Sequence, residues 1–266
     1  MKRRCTVLLL LLVPMIGGCI LGEDTGPSEP TWQRDGLFTN TVASVTLEVD
    51  YAAGAEPYTE AATPRGNNPW RLTKKNLGRL FQENGADLTI PDEAGEMEEV
   101  SVDNGGPYTS EEILAIADAH RDTPSTETDR SFYVLFLDGK FEDEEGRRDG
   151  VLGVSIGDTG VLALFKPVIE STANPPTGGF TRRFVEQTTL IHEFGHAAGL
   201  VNNGLPMDYD HHDEAHGAHC DNDDCAMYWA NEGASDMAKF VREYVTSGDS
   251  VVFREACLAD VDAAGE

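Results

Sequence analysis

Positive charge is what this chain of 266 residues has least of: lysine and arginine together number 20 against 47 aspartates and glutamates, a formal net charge of -27. A surface this acidic repels the phosphates of nucleic acid and the headgroups of anionic lipid, so neither is an expected partner. Lysine is scarce even among the cations. That balance fits a carboxylate-solvated surface of the kind that stays soluble in high salt, although an ordinary solvated face is the simpler reading. Internal repeats are absent as well, which argues against a solenoid or propeller. What is present, 40% hydrophobic residues over this length, suffices for one domain with a real core and at most small appendages.

The apolar run near the N-terminus is too short to span a bilayer comfortably. Met1-Lys-Arg-Arg precedes an apolar stretch that ends in small residues before a cysteine, the layout of a secretory signal over residues 1–18. Ile16-Gly17-Gly18-Cys19 resembles the lipobox of prokaryotic lipoproteins. That resemblance implies cleavage before Cys19, lipidation of its thiol, and a membrane contact made by lipid alone at the periplasmic or outer cell face. An ordinary signal peptide cut nearby is the alternative, and Arg3-Arg4 leaves the export route open. Residues 19–40, rich in turn formers such as Gly26, Pro27 and Pro30, read as a flexible tether, with the folded domain over 41–266.

Along that domain, residues 43–51 alternate apolar and polar as a half-buried first strand does, and 87–90 are a short strand candidate. Trp70, Leu77, Leu80 and Phe81 are spaced for a helix, and Thr109-Ser-Glu-Glu112 is a capping box opening another, which runs to about His120. Residues 131–137 are apolar throughout, as a buried central strand is. Residues 138–150 are hydrophilic and lack the ligand spacing of a calcium loop, so they read as a solvated loop. Two strands follow at 151–156 and 160–165, one of them expected on the rim of a cleft, then a helix over about 181–198 and helices near 235–245 and 253–258. The order is that of an α+β fold with a mixed twisted sheet of about five strands.

Residues 188–199 read Thr-Thr-Leu-Ile-His-Glu-Phe-Gly-His-Ala-Ala-Gly. On a helix, His192 and His196 lie one turn apart and point two imidazoles at one ion, with Glu193 beside them. Zinc suits that pair, and a catalytic site needs three protein ligands and an open position. Gly199 is placed to stop the helix in a left-handed turn. A ligand three residues beyond it would be Asn202, whose neutral amide is a poor zinc donor, so the third ligand lies further on, among Asp210, His211, His212, Asp213, His216 and His219. Of the cysteines beyond Cys19, Cys220 and Cys225 can close a short disulfide loop in an oxidising compartment, and Cys257 reads as a free buried thiol. A second zinc held by thiolates ranks below that disulfide.

His-Glu-x-x-His-x-x-Gly resembles the metzincin clan of zinc proteases, and His219-Cys220-Asp-Asn-Asp-Asp-Cys225-Ala-Met227 is similar to the His-Cys-x-x-x-x-Cys-x-Met segment of archaemetzincins. The resemblance covers about 40 residues. It implies a zincin fold with an active-site helix, Met-turn and C-terminal helices, a loop inserted over roughly 200–218, His219 as third ligand and Met227 under the metal. His211 and His216 remain alternative third ligands, and the inserted loop could hold an additional metal of its own. The Cys-x-x-Cys that gives archaemetzincins a second, structural zinc is absent from this chain.

The implied chemistry is hydrolysis of a peptide or protein substrate. One zinc activates water, Glu193 acts as general base, substrate lies extended along an edge strand, and Tyr228 is a speculative stabiliser of the oxyanion. A non-catalytic zinc-binding lipoprotein is the alternative, and Glu193 argues against it.

Overall fold

The structure, a computed structural model, describes residues 34–60, 68–102, 105–172, 178–245 and 247–265. The expected signal peptide, Cys19 and the first part of the tether lie outside the described residues. Within the remainder of that segment, Leu37 and Phe38 are buried, so the packed chain is under way by residue 37.

The architecture is α+β. In chain order its elements are β1 (Ser44–Ala52), α1 (Trp70–Leu80), β2 (Asp87–Thr89), β3 (Glu98–Val100), β4 (Pro107–Tyr108), α2 (Ser110–His120), β5 (Asp129–Leu137), β6 (Lys140–Asp143) and β7 (Gly146–Arg148). They continue with β8 (Gly153–Ser155), β9 (Val161–Phe165), α3 (Lys166–Ser171), α4 (Gly178–Ala197), α5 (Ala234–Tyr244) and α6 (Glu255–Ala264). The main sheet has six strands rather than five, in the order β2-β1-β5-β9-β8, with β3 also paired to β1. All its pairings are parallel except that of β8, which runs antiparallel to β9 and forms one edge. Among the described residues no helix is long and apolar enough to cross a membrane.

The apolar run at 131–137 lies at the centre of this sheet, between β1 and β9, and is buried throughout. A strand covered on both faces needs apolar side chains on both, which is why it shows no alternation. α4 packs on this layer and on α1 and α5. It is buried on nearly all sides, and Phe194, inside the histidine motif, packs at a tilt against Phe132 of β5 at 4.4 Å between ring centroids. That contact fixes the helix in depth and rotation over the sheet. The capping box at Thr109 is formed reciprocally with Glu112, as its spacing requires.

The hydrophilic stretch 138–150 is not a plain loop. It makes the β6–β7 hairpin, which β4 joins in a second, three-stranded sheet. Its strands are only a few residues long, and their order comes from charge pairing: Arg148 to Asp143 at 2.6 Å and Lys140 to Asp149 at 2.7 Å. A pattern of charges carries no hydrophobic period, so the hairpin was invisible to periodicity.

On β1, Asp50 is buried and accepts a hydrogen bond from the Tyr133 hydroxyl at 2.6 Å. Burial raises its pKa to about 6 from 3.8. A carboxyl raised in the folded state favours folding below its unfolded pKa, and that contribution is lost as pH rises through 6. Asp50→Asn, which keeps an acceptor for Tyr133, should therefore stabilise the protein at pH 7.5 by on the order of 2 kcal/mol. The gain should fade toward pH 4, as followed by urea denaturation across that range.

Candidate metal centre

The helix presents His192 and His196 as the spacing requires, one turn apart on one face, with ring centroids 4.7 Å apart and the two Nε2 atoms at 3.1 Å. α4 ends in the expected left-handed turn. Gly199 has φ of +91°, its N–H donates to the His196 carbonyl, and the Leu200 N–H donates to that of Gly195. The turn sends the chain away from the site, and Asn202, also left-handed, is exposed. Asn203 closes the helix end with a side-chain bond to the His196 carbonyl at 2.9 Å.

Among the later histidines, His219 meets this pair. Its ring lies 5.3 Å from that of His192 and 4.8 Å from that of His196. It is delivered by a small ladder of isolated pairings in which Cys220 bridges His212 on one side and Tyr228 on the other. The Cys220 N–H donates to the Met227 carbonyl, and the Asp213 N–H donates to that of His219. His211 and His216 are not brought to the pair. His211 is buried against Asp260, while His216 is exposed and stacks flat on Trp229 at 4.0 Å. The His212 ring bonds the Gly217 carbonyl.

The imidazole orientations are set from behind. His192 donates from Nδ1 to the Ala226 carbonyl at 2.6 Å, and His219 donates from Nδ1 to that of His216 at 2.6 Å. A backbone carbonyl only accepts, so both rings carry a proton on Nδ1 and turn Nε2 toward the shared space. The buried His219 Nε2 faces the Glu232 carboxylate, 3.2 Å away. Burial lowers the pKa of His192 to about 4 and that of His196 well below its usual value. Both are therefore neutral ligands at pH 7. Imidazole nitrogens converging on one point beside a carboxylate are what a metal ion satisfies.

Glu232 is a residue that sequence reasoning missed. Its carboxylate lies 3.2 Å from His219 Nε2, and together with the three histidines it forms a group that could hold a metal ion. It sits five residues past Met227 in a 3-10 turn, Trp229–Glu232, and belongs to no motif, so only the fold signals it. For His219, burial disfavours the charged form, but the Glu232 bond and the His216 carbonyl outweigh it and raise the pKa.

Glu193 faces the same space. Burial first, then the charge of Glu232, raises its pKa well above the usual carboxyl value, and the Ser155 backbone N–H opposes the shift. The close approach of the edge strand is possible because β8 begins with Gly153, where a Cβ would press on Glu193 and Thr189. Glu193 and His196 open onto a cleft of about 730 Å³ walled by β8 and by the hairpin residues Phe141 and Arg148. Arg34, another residue without a motif, reaches in from the N-terminal side and bonds the carbonyls of Ala197 and Asn203, clamping the helix end to the loop after it. Tyr228 is not among the residues lining this cleft. It belongs to a separate hollow with Asp236 and Lys239, so the oxyanion role does not fit its position.

Met227 is fully buried beneath the helix. A Cβ on Gly195 would overlap its sulfur, so the glycine in the motif is what lets the two segments touch. The expected Cys220–Cys225 disulfide is not formed: both are free buried thiols, and Cys225 Sγ lies instead 3.6 Å from that of Cys257. Cys257 is buried and free, as read from the sequence.

His196→Ala or His219→Ala should remove one tightly bound divalent ion per chain, whereas His212→Ala and His216→Ala should leave the metal content unchanged, as measured by elemental analysis after gel filtration. Gly195→Ala should cost about 1–3 kcal/mol in urea denaturation, because it overpacks a filled contact. Unchanged stability would mean that Met227 does not hold the helix in this way.

Comparison with protein-family models, with curated proteins and with solved structures finds no match to this chain, so the reading of the site rests on its own residues.

Proposed function

We propose that this protein is a zinc-dependent endopeptidase of metzincin type, archaemetzincin-like in its His219–Met227 segment, exported and held to the membrane by lipid on Cys19. The observation that carries the reading is Glu193. An ionisable carboxyl stands beside three converging imidazoles and opens onto a cleft of about 730 Å³. Ion storage has no need of such a group, whereas hydrolysis needs a proton acceptor within reach of the attacked bond.

Zinc is the ion that the donor set favours. At about 2.0–2.1 Å from each nitrogen, a tetrahedral centre places ligand nitrogens about 3.3 Å apart, close to the separation of 3.1 Å between His192 and His196 Nε2. When bound, zinc supplies Lewis-acid polarisation of a peptide carbonyl and makes water acidic enough to ionise near neutrality. The remaining work falls to the chain. Glu193, its pKa already displaced upward, takes the proton from water and returns it to the leaving amine. β8 has β9 on one side and, as an edge strand, offers its other side to a substrate backbone. The β6–β7 hairpin forms the facing wall, with Arg148 held by Asp143 and Glu145.

A second reading, a metal-binding lipoprotein without catalysis, has one observation in its favour: Glu232 stands among the ligands and as a fourth donor would close the site. Closed four-ligand sites are structural, whereas sites with an open position are catalytic.

Wild type and Glu193→Ala should be compared on a mixed peptide library, with zinc content measured for both. Chelator-sensitive cleavage by the wild type is expected, falling at least a hundredfold in the variant while zinc stays bound. Absence of cleavage by the zinc-loaded wild type would overturn the enzyme reading and leave the binding protein.

A further inference from the structure

The first described residue, Arg34, sets its guanidinium into a slot at the end of the metal helix. Its Nε donates to the Ala197 carbonyl at 3.1 Å and lies 3.3 Å from the Asp158 carboxylate. One terminal nitrogen donates to the Asn203 carbonyl, and the other donates to the Gly157 carbonyl at 3.2 Å. These acceptors belong to three segments: the last turn of α4, the loop that leaves it, and the turn between β8 and β9. Carbonyls at a helix C-terminus have no partner within the helix and carry partial negative charge, so a planar cation with several donors suits them. Two glycines make the room. Gly199 and Gly204 have φ of +91° and +118°, and a Cβ on Gly199 would lie 2.7 Å from Arg34 Cδ, one on Gly204 2.5 Å from its Nη1.

His196 supplies a second, independent observation. The rings of His192 and His219 are each held at Nδ1 by a backbone carbonyl, whereas among the described residues no such bond holds the ring of His196. Its place is therefore inherited from the main chain at the end of α4. There the His196 carbonyl accepts from the Asn203 side chain at 2.9 Å, and the carbonyls of Asn203 and of the adjoining Ala197 both accept from Arg34. β8, which reaches Glu193 at Gly153, ends at Ser155, just before the Gly157 that the same guanidinium holds. Arg34 is itself anchored from the other side: its carbonyl accepts the Leu37 N–H at 3.0 Å, and the buried Phe38 stacks on Phe81 at 5.1 Å between ring centroids.

We propose that Arg34 is a positioning residue of the metal centre, holding the His196 end of α4 in register with the edge strand β8. The arm that leads into the domain is then a working part of the site. The inference rests on the peptidase reading where it concerns substrate, because β8 is the strand offered to the substrate backbone; where it concerns the metal it rests on the three imidazoles alone. Without the guanidinium, its acceptors lose their common partner and the spacing between His196 and β8 is no longer fixed. Lysine does not replace it, since an ammonium is a point charge that cannot span acceptors on three segments.

The test compares the full chain with its Arg34→Ala, Arg34→Lys and Leu37→Ala variants, each loaded with zinc or with cobalt. Leu37→Ala loosens the same arm through packing and serves as the control for stability. Arg34→Ala should lose zinc to a chelator roughly tenfold faster than wild type and shift the visible bands of the cobalt form, and Arg34→Lys should do the same. Leu37→Ala should lower the urea midpoint while keeping the zinc release rate and cobalt spectrum of the wild type. On a cleaved peptide, both Arg34 variants should lower kcat and raise KM together. Should Arg34→Ala fail to fold, Arg34→Lys decides on the same readouts. Wild-type zinc release and cobalt spectrum in a folded Arg34 variant, or the same changes in Leu37→Ala, overturns the proposal. Absence of cleavage by the zinc-loaded wild type removes the peptidase reading alone, because zinc release and the cobalt spectrum need no substrate and still decide the role of Arg34.

Discussion

The hydrogen bond from His192 to the carbonyl of Ala226 joins the two halves of the centre. On one side is a helix whose rotation is set by Phe194 on Phe132; on the other is an irregular segment that could not hold a shape by itself. The bond is buried, so breaking it would leave a ring N–H without a partner or water, a cost of about 1–3 kcal/mol. It also decides which nitrogen of His192 faces the cleft. The Ala226 N–H donates to Val252, and Asn231 bonds the carbonyls of Cys225 and Ala226, so the position of that one acceptor is fixed from both sides.

From that bond the remainder follows by packing. Met227 can lie under the helix only because residue 195 has no side chain, and β8 can approach Glu193 only because residue 153 has none. Both glycines convert a van der Waals limit into proximity of chemical groups. The burial that results depresses the pKa values of two histidines and raises that of Glu193, which leaves the imidazoles neutral and the carboxyl a stronger proton acceptor. Fold, protonation and the proposed hydrolysis are thus three consequences of one close contact between helix, edge strand and Met227 segment.

Acidity of the chain and charge at the site are separate matters. The cleft is lined by Arg34 and Arg148 as well as by Asp143, Asp158 and Glu232, so it is mixed in sign where the molecule as a whole is strongly negative. The arginines here hold structure together: Arg34 binds main-chain carbonyls around the end of α4, and Arg148 locks the hairpin. Scarce cations are used at the places where loops must be pinned.

The elements legible in the sequence were those set by local rules. His192, Glu193 and His196 share a helix because a period of 3.6 residues is written within a single stretch, and Gly199 ends that helix because only its neighbours need a left-handed turn. The Thr109 capping box and the apolar strand at 131–137 are local in the same sense. The third imidazole was named from a resemblance in spacing, and nothing in residues 200–218 could rank His219 above His211 or His216 by itself, since that loop has no period and its path is set by bonds to Arg34, Asp260 and Met227. The short β6–β7 hairpin, Glu232 beside the ligands, and the gathering of Cys225 and Cys257 in place of a Cys220–Cys225 disulfide were likewise decided by tertiary structure. Each depends on contacts between residues far apart in the chain, where geometry is fixed by burial and hydrogen bonding and leaves no periodic trace in the sequence.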